Sequence, residues 1–139
     1  MSENLVDLGT YRVVIKEQHV DVYGHLNNSS YFYLFEEARW EFITAKGYGL
    51  REIMRVKQGP ILLEAQIKYK KEISVREVID IKSELIEYVG KVGRMRQVMV
   101  KEDGSIAAEA VLTLGLFDLE KRKLVLPNDG WKLAIGIPV

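Results

Sequence analysis

HVDVYGHLNNSSYFYLFEEAR, His19 to Arg39, decides how this chain is read. Its first ten residues hold both histidines of the protein, an aspartate, a glycine and an Asn-Asn pair. An aromatic helical pattern follows. Tyr31, Leu34, Phe35, Ala38 and Phe42 fall at i, i+3, i+4, i+7 and i+11, which is one face of an α-helix. Asn27 or Asn28 suits the N-cap, because a side-chain amide oxygen can accept from the first unpaired N–H groups. Glu36, Glu37 and Glu41 populate the other side, and Gly47 is a C-terminal stop. The stretch therefore predicts a polar loop that runs straight into one long helix.

Outward from it, the chain reads as strands. Thr10 to Glu17, TYRVVIKE, is rich in β-branched residues. GYGLREIMRV adds a short second helix or a loop, and ILLEAQIKY within Pro60 to Lys71 is an apolar run with a basic tail. From Arg76 to Val89, Ile79, Ile81 and Leu85 alternate with Asp80, Lys82 and Glu84, the pattern of a half-buried strand. Glu87 then lands on the apolar phase, which predicts a bulge or strand end nearby. Gly90 to Gly93 is a turn, Asp103-Gly104 joins Arg94–Glu102 to Ser105–Asp118 as a hairpin, and Lys121 to Lys123 is a further tight turn. One strand, a long helix and four strands linked by turns favour an antiparallel sheet over βαβ alternation. The helix must bury its apolar face, and only the sheet is large enough to cover it. The expected fold is α+β, a curved antiparallel sheet packed on one long helix, in a single domain over residues 1–139.

Composition bounds the function. With 20 Lys plus Arg against 20 Asp plus Glu, the chain lacks the basic excess of a general nucleic-acid or anionic-membrane binder. The absence of cysteine rules out disulfides, thiolate metal sites and a Cys nucleophile. MSENLVDLG has neither the basic nor the apolar region of a signal peptide, and no apolar run approaches the roughly 18 residues of a membrane span. A cytoplasmic protein is expected.

Chemistry centres on the opening stretch. No G-x-S-x-G elbow, phosphate loop or G-x-G-x-x-G is present. Ser29 or Ser30 would need a histidine aimed at it to serve as a nucleophile. His19, Asp21 and His25 are metal-ligand types, but they straddle a Gly-containing loop, and no metal is expected. A helix N-terminus, by contrast, offers unpaired N–H groups and partial positive charge. Asp21 lies seven residues before Asn28, with Gly24 allowing a tight bend between them. A carboxylate facing oxyanion-binding N–H groups is minimal equipment for acyl transfer or hydrolysis. An aspartate that only holds a turn has the same spacing, so the residues alone leave both roles open.

VDVYGHLNNSSYFYLFEEARWEF resembles the opening motif of the hotdog-fold acyl-CoA thioesterases of the 4-hydroxybenzoyl-CoA thioesterase type. In that pattern D-x-x-G is followed by H-x-N-N, a Tyr and an aromatic helix ending in E-x-A-R. Asp21, Gly24, His25, Asn27, Asn28, Tyr31, Phe35, Glu37, Ala38 and Arg39 occupy its positions. Ile67 to Ile81 and Leu112 to Pro127 are similar to later strands, so the likeness runs from about Thr10 to Pro127. The resemblance implies Asp21 as nucleophile or general base on a thioester, and the Asn28 backbone N–H as donor to its carbonyl. It implies no cofactor beyond coenzyme A as part of the substrate, with acyl-carrier protein as the other thiol carrier, and a homodimer or homotetramer with sites at the interface. His19 stands where many relatives carry a first acid, D-x-D-x-x-G. Another branch uses a Glu from the facing segment, for which Glu64 is the candidate. His25, Asn27 and Tyr31 are supporting positions, and Lys70, Lys71, Arg94 and Arg96 are candidates for the coenzyme A phosphates. The alternatives on this fold are a non-catalytic acyl-binding module, or a dehydratase or acyltransferase that uses His25.

Overall fold

The computed structural model describes residues 5–139. Strand β1 (Val6–Val14) leads through a 3₁₀ turn (Glu17–His19) to helix α1 (Asn28–Ala45). A short helix α2 (Leu50–Val56) and the long strand β2 (Gln58–Tyr69) follow. Then come β3 (Val78–Val89), β4 (Val92–Val100), β5 (Ile106–Asp118), β6 (Lys123–Val125) and a terminal helix α3 (Asp129–Ala134). The strands form one six-stranded antiparallel sheet in the order β1-β3-β4-β5-β2, with β6 paired to β5.

Helix and sheet are held by the periodicities that the sequence carries. Leu34, Phe35 and Ala38 of α1 share one core with Ile79 and Ile81 of β3, Met95 and Met99 of β4, and Leu112 and Leu114 of β5. Burying such side chains contributes roughly 1.5–3 kcal/mol each, so the α1–sheet interface is what makes the helix stable. Two polar residues, Ser83 and Gln97, stand inside it. Gln97 is fully buried; its side-chain NH₂ donates to the Phe35 carbonyl at 3.0 Å and to the Ser83 hydroxyl at 3.0 Å. Its oxygen accepts from Arg39 Nη1 at 2.9 Å. This strut ties the middle of α1 to β3 and β4. The whole is the hotdog arrangement, α+β as expected.

Several boundaries differ from the sequence reading. The first strand is Val6–Val14 rather than Thr10–Glu17, because a bulge between Asp7 and Gly9, with φ +118 at Gly9, lets the ladder with β3 continue toward the N-terminus. Five strands follow α1 rather than four, since the turn at Lys121 to Lys123 is tight enough to fold β6 back onto β5. Helix α3 was not foreseen. Asn128 caps it by accepting from the Trp131 N–H at 2.8 Å, and Trp131 is buried with its indole N–H on Tyr88 Oη at 3.2 Å. The bulge expected near Glu87 lies between Leu85 and Glu87, and Gly104 turns the β4–β5 hairpin at φ +88. No helix among the described residues is long and apolar enough to cross a membrane.

Candidate active site

The loop before α1 is built around Asp21. Its backbone N–H donates to the His25 carbonyl at 2.9 Å, and its own carbonyl accepts from Gly24 N–H at 3.0 Å. Its Oδ1 accepts from the amides of Tyr23 at 2.9 Å and His25 at 3.2 Å. Gly24 closes this turn with φ +78, a conformation that an L side chain disfavours. The loop is pinned from outside, by Leu26 N–H to the Ile73 carbonyl at 2.7 Å and Val75 N–H to the Gly24 carbonyl at 2.9 Å. Asp21 thus does hold a turn, yet only Oδ1 is engaged. Oδ2 has no hydrogen bond among the described residues.

His19 is a support. It is buried, its Nδ1 accepts from Lys16 N–H at 3.0 Å, and its carbonyl accepts from Asn27 N–H at 2.9 Å. That locks the approach to the helix. His25 turns its ring outward, with Nε2 3.5 Å from Glu72 Oε2.

The first turn of α1 accounts for its own donors, with one exception. Asn27 Oδ1 accepts from Ser29 N–H at 3.0 Å and from the Ser29 hydroxyl at 2.9 Å. The Asn27 carbonyl accepts from Ser30 N–H at 2.9 Å and Tyr31 N–H at 3.4 Å. The Asn28 N–H is left without a partner among the described residues. Asn28 helps to line an open cleft of about 300 Å³ together with His25, Tyr31, Tyr69, Lys70 and Lys71, among others. Tyr31 and Tyr69 meet there edge to face, with ring centroids 4.9 Å apart. Further along the helix, Arg39, Trp40, Ile43, Pro60, Leu62 and Trp131 help to line a smaller hollow of about 100 Å³ between α1 and β2.

Some expected site residues are not gathered here. Met95 and Gln97 point into the core, so strand alternation sends Arg94 and Arg96 to the opposite sheet face. There Arg96 lies 3.0 Å from Glu84 and 2.5 Å from Glu109, and Arg94 lies 3.6 Å from Glu87. Lys70 borders the cleft but also reaches Glu109 at 3.4 Å, whereas Lys71 is exposed at its rim. Glu64 is exposed on edge strand β2, beside the bulge between Leu62 and Glu64, and lines neither hollow. Asp21 adjoins the cleft through His25 rather than lining it. Tyr69 and Glu72 carry no local signal in the sequence, because only the contact of β2 with α1 and the return of the 70–75 segment against the 24–26 loop bring them in. No local pattern announces that pairing.

The family profile described as Thioesterase-like superfamily matches residues 15–134. The chain belongs to that superfamily; the profile does not single out the 4-hydroxybenzoyl-CoA branch. It is similar to the long-chain acyl-CoA thioesterase FadM of Escherichia coli strain K12, 27% identical over 113 residues that cover 81% of this chain and 85% of that one. Among solved structures, the Staphylococcus aureus protein SAV2348 in complex with CoA superposes with a TM-score of 0.86 at 18% identity, covering 94% of this chain and 85% of its own. A 1,4-dihydroxy-2-naphthoyl-CoA thioesterase from Synechocystis, Slr0204, does so at 0.83 and 16% identity, covering 91% and 94%. At those identities the last two speak for the fold.

Proposed function

We propose that this protein hydrolyses acyl-CoA thioesters, and the observation that carries the reading is the unpaired Asn28 N–H opening on a cleft beside the Asp21 turn. The thioester carbonyl oxygen accepts from that N–H, where the helix dipole favours the negative charge that develops. Acting as base, Asp21 takes a proton from water as the water oxygen bonds to the carbonyl carbon; acting as nucleophile, it forms an anhydride that water then opens. In either route the C–S bond breaks, coenzyme A leaves as thiolate and takes up a proton, and the acid is released. Lys70 and Lys71 at the rim supply charge for the phosphates of the substrate. The other face of the site comes from a second copy. Among the described residues edge strand β2 has no partner strand on its outer side, and it exposes Ile61, Leu62 and Leu63, so two β2 edges can pair with Glu64 of each copy at the seam.

Thiol release from short, long and aromatic acyl-CoAs, measured with wild type and Asp21→Asn, tests this. A drop of at least about a hundredfold in the variant is expected, within the usual range for a lost general base. Turnover unchanged by Asp21→Asn would refute the assignment. A second reading draws on one observation: His25 lines the cleft and Asp21 does not. On it, His25 is the base of a dehydratase or acyltransferase, and His25→Asn would abolish activity while Asp21→Asn spared it.

A further inference from the structure

The geometry points to Tyr31 as a second oxyanion donor, its hydroxyl converging with the Asn28 N–H on the thioester oxygen; this assignment rests on the thioesterase reading above. The need for a second donor is visible in the first turn. Ser29, Ser30 and Tyr31 all spend their N–H groups on Asn27, so the helix start offers a single amide. A tetrahedral oxyanion is commonly held by more than one donor, and each supplies a large part of the stabilisation. Of the other polar side chains lining the cleft, the His25 ring faces Glu72 and Lys70 reaches Glu109, while Tyr69 and Lys71 are exposed rather than buried beside the helix start.

Tyr31 meets the requirements by position, burial and pairing. Residues three apart share a helix face, and long helical side chains lean back toward the N-terminus. Tyr31 therefore shares the helix face of Asn28, one turn on, and both residues line the cleft. The residue is only 5% exposed and its ring is steadied edge to face by Tyr69 at 4.9 Å. Its hydroxyl makes no hydrogen bond among the described residues. Every side-chain polar atom sealed from solvent among them does have a partner, so this hydroxyl touches solvent, and the cleft is the hollow that Tyr31 lines. Burial, and then the nearby Tyr69, Glu72 and Glu77, hold the phenol above its ordinary pKa, so it keeps its proton at neutral pH. In the reaction it transfers nothing. As water or Asp21 bonds to the carbonyl carbon, the C=O π pair moves to oxygen and accepts from both donors; the pair returns as the C–S bond breaks.

The test compares wild type with Tyr31→Phe, which removes only the hydroxyl, on the acyl-CoA that wild type hydrolyses fastest. Loss of kcat by about 10²–10³ with KM unchanged is expected for one oxyanion donor. A structural role is separated by the carbonyl stretch of a bound ketone analogue with CH₂ in place of the thioester sulfur. Two donors lower that frequency, and Tyr31→Phe should recover part of the shift. Replacing Tyr31 by 3-fluorotyrosine, which keeps the shape and strengthens the donor, should retain or raise kcat. Wild-type turnover in the Phe variant, or lost turnover with an unmoved carbonyl frequency, overturns the assignment. If wild type hydrolyses no thioester at all, the thioesterase reading fails first and Tyr31 with it. Failure of Tyr31 alone leaves the Asp21→Asn effect standing.

Discussion

Gly24 shows how much one backbone angle carries at the residue scale. Its φ of +78 brings its N–H to the Asp21 carbonyl and its own carbonyl to Val75. A methyl group there would meet no atom within 4 Å, so Gly24→Ala tests conformation without a clash. The penalty of the left-handed region predicts a loss of about 1–2 kcal/mol in urea unfolding, and a larger proportional loss of thiol release as Asp21 leaves its turn. Asp21, Gly24 and Asn27 were legible because the turn and the cap they form close within a few residues along the chain, and Asn28 because it begins the helix that follows. His19 was legible only as a departure from a motif; its part in locking Asn27 depends on how the 3₁₀ turn folds back.

The elements are joined by two polar devices on opposite faces of the sheet. Inside, Gln97 links α1 to β3 and β4 through Phe35, Ser83 and Arg39. Gln97→Ala strands a mostly buried guanidinium and should lower stability by about 3 kcal/mol, read from the urea midpoint at constant slope. Outside, Glu84, Arg96 and Glu109 form a ladder across β3, β4 and β5. The Arg96 hydrogen bond holds the Glu109 carboxyl below its ordinary range. Its contribution is fully present above the usual glutamate pKa of about 4.3. It is lost as pH falls from there through the folded-state value, because the unfolded chain binds the proton first. Unfolding of wild type and Glu109→Gln at pH 7, 5 and 3 should therefore show a stability gap that closes toward pH 3. Alternation made the strands readable, and it hid this ladder's consequence: the arginines taken as phosphate ligands face away from the cleft. Which of two faces a strand turns to the helix follows from the register with its neighbours, not from the strand itself.

At the scale of the whole molecule, the edge of β2 is the unfinished part. Leu63 sits at the bulge in that strand, 45% exposed between Leu62 and Glu64. If β2 pairs with β2 of a second copy, wild type runs as a dimer in light scattering, and Leu63→Lys shifts it toward monomer with turnover falling in parallel. A monomeric wild type with full activity would remove the partner's Glu64 from the mechanism. The helix, its cap, the acid and glycine before it, the hairpin turns and hence an antiparallel sheet on one helix can all be read along the chain. Those features are local, written in periods of 3.6 and 2 and in turn chemistry over a few residues. Tertiary structure decided which amide stays unpaired, which tyrosine shares its cleft and which cations turn away. Those outcomes depend on contacts between segments tens of residues apart, whose pairing is chosen by the packing of the whole core.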